Sequence, residues 1–501
     1  MEVTQGGPTL QLLEHVDDMR PQVAPGSARN QKSALGQFMT GENVARFMAS
    51  LFEDRPQGNC RLLDPGAGMG ALSCAFLDRW AAGELHFDSV ELHGYELDPK
   101  LGGLFSETLR RYEAYLKLSS KIIPGDFIEH ATTLFAPSAC EFTHVIMNPP
   151  YKKINSNSHH RSMLRQAGIE TVNLYSAFLA LAVSLAAQGG QIVAIVPRSF
   201  CNGPYYRPFR EFLFKRASIV RMHLFEARNK AFKDDDVLQE NVIISLVRGQ
   251  NQGDIQISTS TDASFSDLQL HTYPAQRIVF SDDPERFIHI PTSPTLNGVE
   301  LSSAVRCSLA ETGLSVSTGP VVDFRLRAYT RKMPEADTVP LLYAGHFNEG
   351  GTAWPKQDFK KPNAIVRNAE TEKWLYPSGH YCVVRRFTSK EERRRIVARV
   401  VSPADFGDAP MLGFENHLNV FHENKRGLSP VLAHGLAAFL NMTAVDEQFR
   451  RFNGHTQVNA TDLKIMKYPS RQALLSLGEW ALQQKIPSQE MLDERLGLLT
   501  E

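Results

Sequence analysis

The most chemically loaded stretch of the chain is Asn148-Pro149-Pro150-Tyr151, which directly follows the apolar run His144-Val-Ile-Met147. Two consecutive prolines fix φ and bring no N–H donor, so they aim the Asn148 side chain and leave the Pro149 carbonyl as a bare acceptor. An exocyclic amino group on a base could donate one hydrogen to the Asn148 amide oxygen and the other to the Pro149 carbonyl. Its lone pair would then be localised toward an incoming methyl group. Tyr151 supplies a ring on which a base taken out of its stack can lie. A loop without chemical purpose is the competing reading.

Upstream, Leu62-Leu-Asp64-Pro-Gly66-Ala-Gly68-Met-Gly70 stands where a first strand should pass into a first helix. Alternate glycines let the backbone turn tightly and approach a ligand closely. Their G-x-G-x-G spacing is not the dinucleotide fingerprint, and no Gly-Lys-Ser/Thr marks a phosphate loop. Asp64, at a strand end with no basic partner, suits a ligand carrying positive charge, such as the amino-acid part of S-adenosylmethionine. A purely structural turn is the alternative. Glu96, in Gly94-Tyr-Glu-Leu-Asp98, follows a second strand, where a carboxylate can accept from ribose hydroxyls. Asp126-Phe127 follows a third, where a carboxylate can accept from an adenine amino group while the ring packs on the purine. Each acid alone reads more simply as a helix cap or a surface charge. Three acids ending three successive strands do not.

The elements that must position these groups alternate. Val44, Phe47, Met48, Leu51 and Phe52 recur at helical spacing after Thr40, a suitable N-cap. Strands are expected at 61–63, 90–95, 121–123, 144–147 and 191–196, and helices at 71–80, 99–116, 174–187 and 208–215. Strand alternating with helix marks a doubly wound α/β sheet. The runs 219–225 and 242–247 would close it as an antiparallel edge hairpin, which makes the sheet mixed. Residues 1–31 lack periodicity and read as a flexible or loosely docked tail, and 32–255 as the catalytic domain. The polar, Pro-punctuated stretch 256–300 reads as a linker, and 301–501 as a separate domain.

The chain has 501 residues, 54 Lys plus Arg against 55 Asp plus Glu, and a net charge of -1, so any attraction for nucleic acid must come from local patches. One such patch is 321–400, with 16 Lys plus Arg against 9 Asp plus Glu interleaved with aromatic residues. It suggests a phosphate-facing surface, with a solvated charged face as the alternative. Six cysteines (60, 74, 140, 201, 307, 382) are scattered without a C-x-x-C pair, which favours a reducing, cytoplasmic location and no structural zinc. Histidines 159, 160, 380, 417 and 455 show no ligand spacing, Asp234-Asp-Asp236 reads as a solvated loop, and no metal is expected. The first twenty residues carry no secretory signal, and the longest apolar stretch, 174–187, is too short to span a bilayer.

In the order and the letters of these motifs the chain resembles the gamma-type S-adenosylmethionine-dependent adenine-N6 DNA methyltransferases of type II restriction–modification systems. The resemblance runs from Gly36-Gln-Phe-Met-Thr40 through Asp64-Pro-Gly-Ala-Gly-Met-Gly70, Tyr95-Glu96, Gly125-Asp126-Phe127, Asn148-Pro-Pro-Tyr151 and Asn173-Leu-Tyr-Ser-Ala-Phe178 to Gly189-Gly-Gln-Ile-Val-Ala-Ile-Val-Pro197. It implies a Rossmann-like methyltransferase fold with a C-terminal target-recognition domain. It further implies S-adenosylmethionine as cofactor, double-stranded DNA as substrate and a cognate restriction endonuclease as functional partner; a monomer away from membranes is the simplest expectation beside it. By the same resemblance Thr40, Asp64, Gly66, Gly68, Glu96, Asp126 and Phe127 serve the cofactor. Asn148, Pro149, Pro150 and Tyr151 serve the target base, and Asn at the first position of the turn favours adenine over cytosine N4. Phe232 is implied as the second aromatic facing the flipped base, with Phe225 as its competitor. Gly41 stands where the family commonly has Pro, which implies a looser helix start. Two segments, 316–325 and 452–459, are similar to stretches that open and close target-recognition domains. Candidate DNA contacts there include Arg325, Arg327, Lys332, Arg385, Arg386 and Asn453.

Competing functions are methyl transfer to RNA or to protein glutamine, because N-P-P-Y turns also serve those amines. The long basic, aromatic C-terminal region argues against both. An added nuclease would rest on Glu423-Asn-Lys425 with Asp405 or Asp408 upstream, a spacing that arises by chance.

Overall fold

The short apolar runs of the first half become nine strands: β1 (Gln57–Pro65), β2 (Phe87–Glu96), β3 (Leu118–Pro124), β4 (Phe142–Met147), β5 (Ala186–Pro197), β6 (Ala217–Phe225), β7 (Asn241–Arg248), β8 (Ile255–Ser260) and β9 (Gln269–Tyr273). The computed structural model describes residues 12–23, 39–55, 57–133, 142–225, 240–280, 283–291, 298–348, 351–388, 392–453, 457–484 and 487–499. The chain divides into two units, one up to Pro291 and one from Thr292.

In the first unit the strands form a single sheet in the order β3-β2-β1-β4-β5-β7-β6-β8-β9. The five strands β3, β2, β1, β4 and β5 are parallel, and β7 runs antiparallel between β5 and β6. Two helices, α1 (Leu12–Val23) and α2 (Glu42–Ser50), precede the sheet. The parallel strands are joined by crossovers through α3 (Ala71–Ala81), α4 (Pro99–Glu113), α5 (Phe127–Thr133), α6 (His159–Gln166) and α7 (Leu174–Leu185). A further helix, α8 (Arg207–Phe214), leads from β5 to β6. Side chains of a strand alternate between the two faces. In β5, Val193 and Ile195 join a core with Val44, Met48 and Phe76, while Ile192, Ala194 and Val196 join another with Phe178, Leu181 and Phe200. A strand buried on both faces therefore reads as a continuous apolar run.

Four expectations are corrected. Residues 12–23 are a docked helix and not a loose tail. Leu12, Leu13 and Val16 are buried against α3, and the Asp78 carboxylate accepts from the backbone N–H groups of Leu12 (3.2 Å) and Leu13 (3.3 Å) at the helix start. The β6–β7 pair is antiparallel but does not form the edge, because β8 lies parallel to β6 and β9 follows antiparallel to β8. Hence 256–300 is not a linker throughout. Its polar texture hid a strand in which Ile255 and Ile257 are buried, and in which Ser258 (3.0 Å) and Ser260 (3.2 Å) satisfy the two ring nitrogens of buried His223. Finally, α2 has Gly41, not Thr40, as its N-cap, with no side-chain capping bond.

The second unit contains a four-stranded antiparallel sheet (Ser315–Thr318, Leu418–His422, Tyr381–Arg385, Ala398–Val401) and a five-stranded one that includes Thr338–Leu342 and Met411–Phe414. Helices Pro430–Leu440 and Arg471–Gln483 pack backbone to backbone. A Cβ on Gly435 would fall 1.9 Å from the Leu474 carbonyl oxygen, and one on Gly478 1.8 Å from that of Val431. Within this unit Asn453 is wholly buried. Its amide oxygen accepts from Arg395 (2.8 Å), and its nitrogen donates to Asp462 Oδ2 (2.8 Å) and the Gln457 carbonyl (2.9 Å).

Two stability tests follow from this packing. Leu13→Ala should cost about 2–5 kcal/mol, as for a buried Leu truncated in a core, read as a lower urea midpoint with the slope retained. An unchanged midpoint would mean that α1 adds nothing to the unit. Asn453→Ala strips partners from a buried guanidinium and a buried carboxyl at once, so it should cost about 3 kcal/mol. A thermal transition like that of the parent chain would contradict the network.

Candidate active site

Because β1, β2, β3 and β4 are parallel, the residues that follow their carboxyl ends gather on one edge of the sheet. The order reverses at β1, which pairs with β2 on one side and β4 on the other. A crevice outside such a switch point is where open α/β sheets bind ligands.

Asp64 ends β1 and is completely buried. Its Oδ2 accepts from the Ser73 hydroxyl at 2.6 Å, while Oδ1 has no partner. Burial pushes the Asp64 carboxyl up to about 7, the nearby Glu96 charge adds to this, and the Ser73 bond opposes it. The turn that follows has Gly66 at φ 82°, Gly68 at φ 57° and Gly70 at φ 86°, where other residues are strained. At Gly68 no heavy atom lies within 4 Å of where a Cβ would be, so that side of the turn is open. At Gly70 a Cβ would lie 2.0 Å from the Phe105 ring. An orphaned, buried carboxylate oxygen beside an open glycine turn fits a cationic, close-lying ligand.

Glu96 ends β2 and is 4% exposed. Oε2 accepts from the Gly68 N–H and Oε1 from the Asp98 N–H, each at 2.8 Å, so Glu96 ties the glycine turn to its own strand end. Burial holds its carboxyl above the usual range. Asp126 is also a helix cap: Oδ1 accepts from Ile128 N (2.7 Å) and Glu129 N (3.2 Å) at the start of α5. Its Oδ2 lies 3.0 Å from His160 Nε2 on α6, a pairing that spacing did not reveal. Phe127 is 2% exposed, with its ring 5.1 Å from that of Tyr95 and 5.0 Å from that of Phe178. It is part of the core, so a ligand would meet it only at an edge.

Asn148 leaves the end of β4 half-buried, and Pro149 is buried behind it. The Asn148 Nδ2 donates to Thr40 Oγ1 at 3.0 Å, and Oδ1 accepts from the Tyr151 hydroxyl at 3.0 Å. That hydroxyl also lies 3.3 Å from the Ile195 carbonyl oxygen of β5. Burial raises the Tyr151 phenol far above its ordinary value, so it stays protonated. Beyond it, Tyr175 meets Tyr151 edge-on at 6.3 Å and Tyr206 at 5.8 Å, and its hydroxyl pairs with Ser199 Oγ at 2.8 Å. The Asn173 amide donates to the Tyr206 hydroxyl. The motif 173–178 thus builds a tyrosine wall beside the turn. Ser73 could have been anticipated, since it lies in the first turn of the helix that β1 feeds. Ser199 and Tyr206 carried no such signal.

Phe232 lies outside the described residues. Phe225, its competitor, is 6% exposed and packs against His223 (4.8 Å) and Phe265 (5.7 Å), which commits its ring to the core. In the second unit Arg325 and Arg327 are exposed, Arg325 beside the 60%-exposed ring of Phe324. Arg385 is half-buried and paired with Glu392. Arg386 donates to the Asn416 carbonyl and to Gln457, and Lys332 to the Phe359 carbonyl. Asn453, expected among the DNA contacts, is instead an interior connector, because both ends of its amide are consumed by Arg395 and Asp462. Several aromatic residues of 321–400, including Tyr343, Tyr376 and Tyr381, are likewise buried. Among the described residues no three His, Cys, Asp or Glu side chains gather as for a metal ion, and no helix is long and apolar enough to cross a membrane.

Comparison with known proteins extends this geometry. A family model described as Eco57I restriction-modification methylase matches residues 108–232. The chain is 53% identical over 480 residues to the type II methyltransferase M.BsuBI of Bacillus subtilis, covering 94% of this chain and 95% of that protein. To M.PstI of Providencia stuartii it is 39% identical over 468 residues, 92% of each. A cryo-EM structure of a DrdV–DNA complex aligns with a TM-score of 0.54 at 11% identity, over 96% of this chain and 60% of that one, a likeness of fold alone. Identity at the level of M.BsuBI, sustained through both units and not only the catalytic half, makes the chain a member of the type II DNA methyltransferases of restriction–modification systems, enzymes of Rossmann-like fold that use S-adenosylmethionine to methylate DNA at specific sites.

Proposed function

We propose that the enzyme methylates the N6 amine of an adenine flipped out of a specific duplex sequence, and that this modification protects the DNA from a cognate restriction endonuclease in the cytoplasm. The first unit binds the cofactor and does the chemistry, the second recognises the target, and a single chain suffices. The reading is carried by the Asn148-Pro-Pro-Tyr151 turn at the carboxyl end of β4, whose amide is held by Thr40 on one side and reached by the Tyr151 hydroxyl on the other.

Bound S-adenosylmethionine supplies an activated methyl group on a positively charged sulfur. Asp64 Oδ1 suits the cofactor's ammonium group, and the Glu96 carboxylate suits ribose hydroxyls. Asp126 Oδ2 suits an adenine amino group once His160 yields it. On the target side the Asn148 oxygen and the Pro149 carbonyl take the two amine hydrogens and orient the nitrogen lone pair. As positive charge develops on that nitrogen, two fixed acceptors meet it without reorganising. The Tyr151 ring carries the extruded base. No covalent intermediate is required, and burial pushes the thiols of Cys60 and Cys201 up to about 12, which leaves them unreactive.

The test of acceptor and atom is transfer of tritiated methyl from S-adenosylmethionine to unmethylated DNA, RNA and protein in parallel, with nucleoside analysis of the product. N6-methyladenine in duplex DNA is expected, and label confined to RNA or protein would refute the reading. Asn148→Ala should lower turnover by about a hundredfold or more and leave cofactor affinity within about threefold. Near-parental turnover would remove Asn148 from the mechanism.

Asp64 links cofactor binding to pH. Its folded value, about 7, lies above the ordinary 3.8. The folded chain without cofactor therefore favours the protonated acid, and its stability declines as pH rises between those two values. A cationic ligand reverses the preference. Cofactor affinity should then rise from about pH 5.5 to about pH 7.5, below the range in which an α-amino group loses its proton. Asp64→Asn should flatten that rise and bind about tenfold or more weakly at the upper end. Calorimetric titration showing no pH dependence in the parent chain would exclude Asp64 from the ammonium site.

A further inference from the structure

We propose that Thr40 is a positioning residue for the target side of the reaction, acting through Asn148 and not chiefly as a cofactor contact. The inference rests on the reading of Asn148 given above.

Thr40 is 7% exposed, and its hydroxyl is not used to cap α2, whose N-cap is Gly41. It accepts instead from Asn148 Nδ2 at 3.0 Å, across 108 residues of sequence. The other end of the same amide faces Tyr151, whose hydroxyl has one proton and two acceptors in reach, Asn148 Oδ1 at 3.0 Å and the Ile195 carbonyl at 3.3 Å. A phenol can donate to only one of them at a time. When it turns to Ile195, Asn148 Oδ1 is released to take a hydrogen from the incoming amine, and the bond to Thr40 remains to hold the amide.

That bond matters because an Asn amide is nearly symmetric in shape but opposite in polarity at its two ends. With nitrogen toward Thr40 the acceptor faces the target. Turned by half a rotation, the amide would present a donor to an amine that must itself donate. A valine at position 40 keeps the volume but can neither accept nor donate, so it would remove the acceptor that favours the nitrogen of Asn148 on that side.

The experiment is single-turnover methyl transfer to duplex DNA at saturating S-adenosylmethionine by the full chain and its variants, with cofactor affinity measured separately by calorimetry. Thr40→Val should slow transfer about tenfold to a hundredfold, as expected when a buried amide donor loses its acceptor. Thr40→Ser, which restores the hydroxyl, should stay within about threefold of the parent, and cofactor affinity should change by less than about threefold in both. In an Asn148→Ala background the Thr40→Val loss should vanish, since a group that acts through Asn148 has nothing left to position. An equal loss in both backgrounds, or a parental rate at saturating cofactor with weakened cofactor binding, would overturn the proposal. If the Asn148→Ala background is too slow to time, the Val-to-Ser contrast at saturating cofactor decides. Failure of the parent chain to methylate DNA at all would strike the proposed function itself, and so reads out separately.

Discussion

Parallel pairing of β3, β2, β1, β4 and β5 is the constraint on which the rest depends, because it brings residues from 64 to 148 to one edge of one sheet. Helices cover the faces of these strands, so the groups at that edge are largely withdrawn from water. Polar groups in such a place must find partners among themselves. They do so across the strand ends. Ser73 takes one oxygen of Asp64, Gly68 and Asp98 take one bond each from Glu96, and Thr40 takes the nitrogen of Asn148 while its oxygen faces an exchangeable hydroxyl. On the proposed reading, ligand-facing capacity at Asp64 is the remainder after the fold has satisfied itself.

The letters of the site were legible because they act locally. Two prolines fix the Asn148 turn by their own rings, and three glycines at positive φ make a turn that a Cβ would strain, so neither needs the rest of the chain to be recognised. What was not legible is who holds those letters in place. The bonds from Asn148 to Thr40 and from Asp126 to His160 join segments that local pattern cannot relate. Phe127 shows the same limit from the other side, since an aromatic after a strand end reads alike whether its face meets a ligand or a core.

The fold was most legible where strands are buried on both faces. β4 ends in Val145-Ile-Met147 and β5 carries Ile192-Val-Ala-Ile-Val196, apolar runs that mark them as strands. β8 has polar residues at alternate positions, two of them turned inward to satisfy His223, and so it resembles a loop in sequence. In α1, Pro21 and the proline and glycine just beyond it masked the short apolar stripe before them, and that stripe found its partner in α3. Asn453 was misread for a related reason: an amide near a basic, aromatic segment has the composition of a DNA contact, but its geometry is that of a buried brace.

Asp64 shows why the remainder principle matters for binding. An exposed carboxylate would gain little from an ammonium ligand, since surface ion pairs contribute roughly 0–1 kcal/mol. Burial removes the competing water and raises the cost of the free anion, and Oδ1 is an acceptor left without a partner among the described residues. The Glu96 charge nearby makes the free anion costlier still. On the proposed reading a cation bound there relieves both penalties at once, so part of the binding energy comes from an unfavourable arrangement in the empty protein. The glycine turn serves the same end, because its open side at Gly68 lets a ligand come close enough for that relief without displacing a side chain. On the proposed reading, electrostatic tension at Asp64 and steric permission at Gly68 are two halves of one device, encoded four residues apart in the chain.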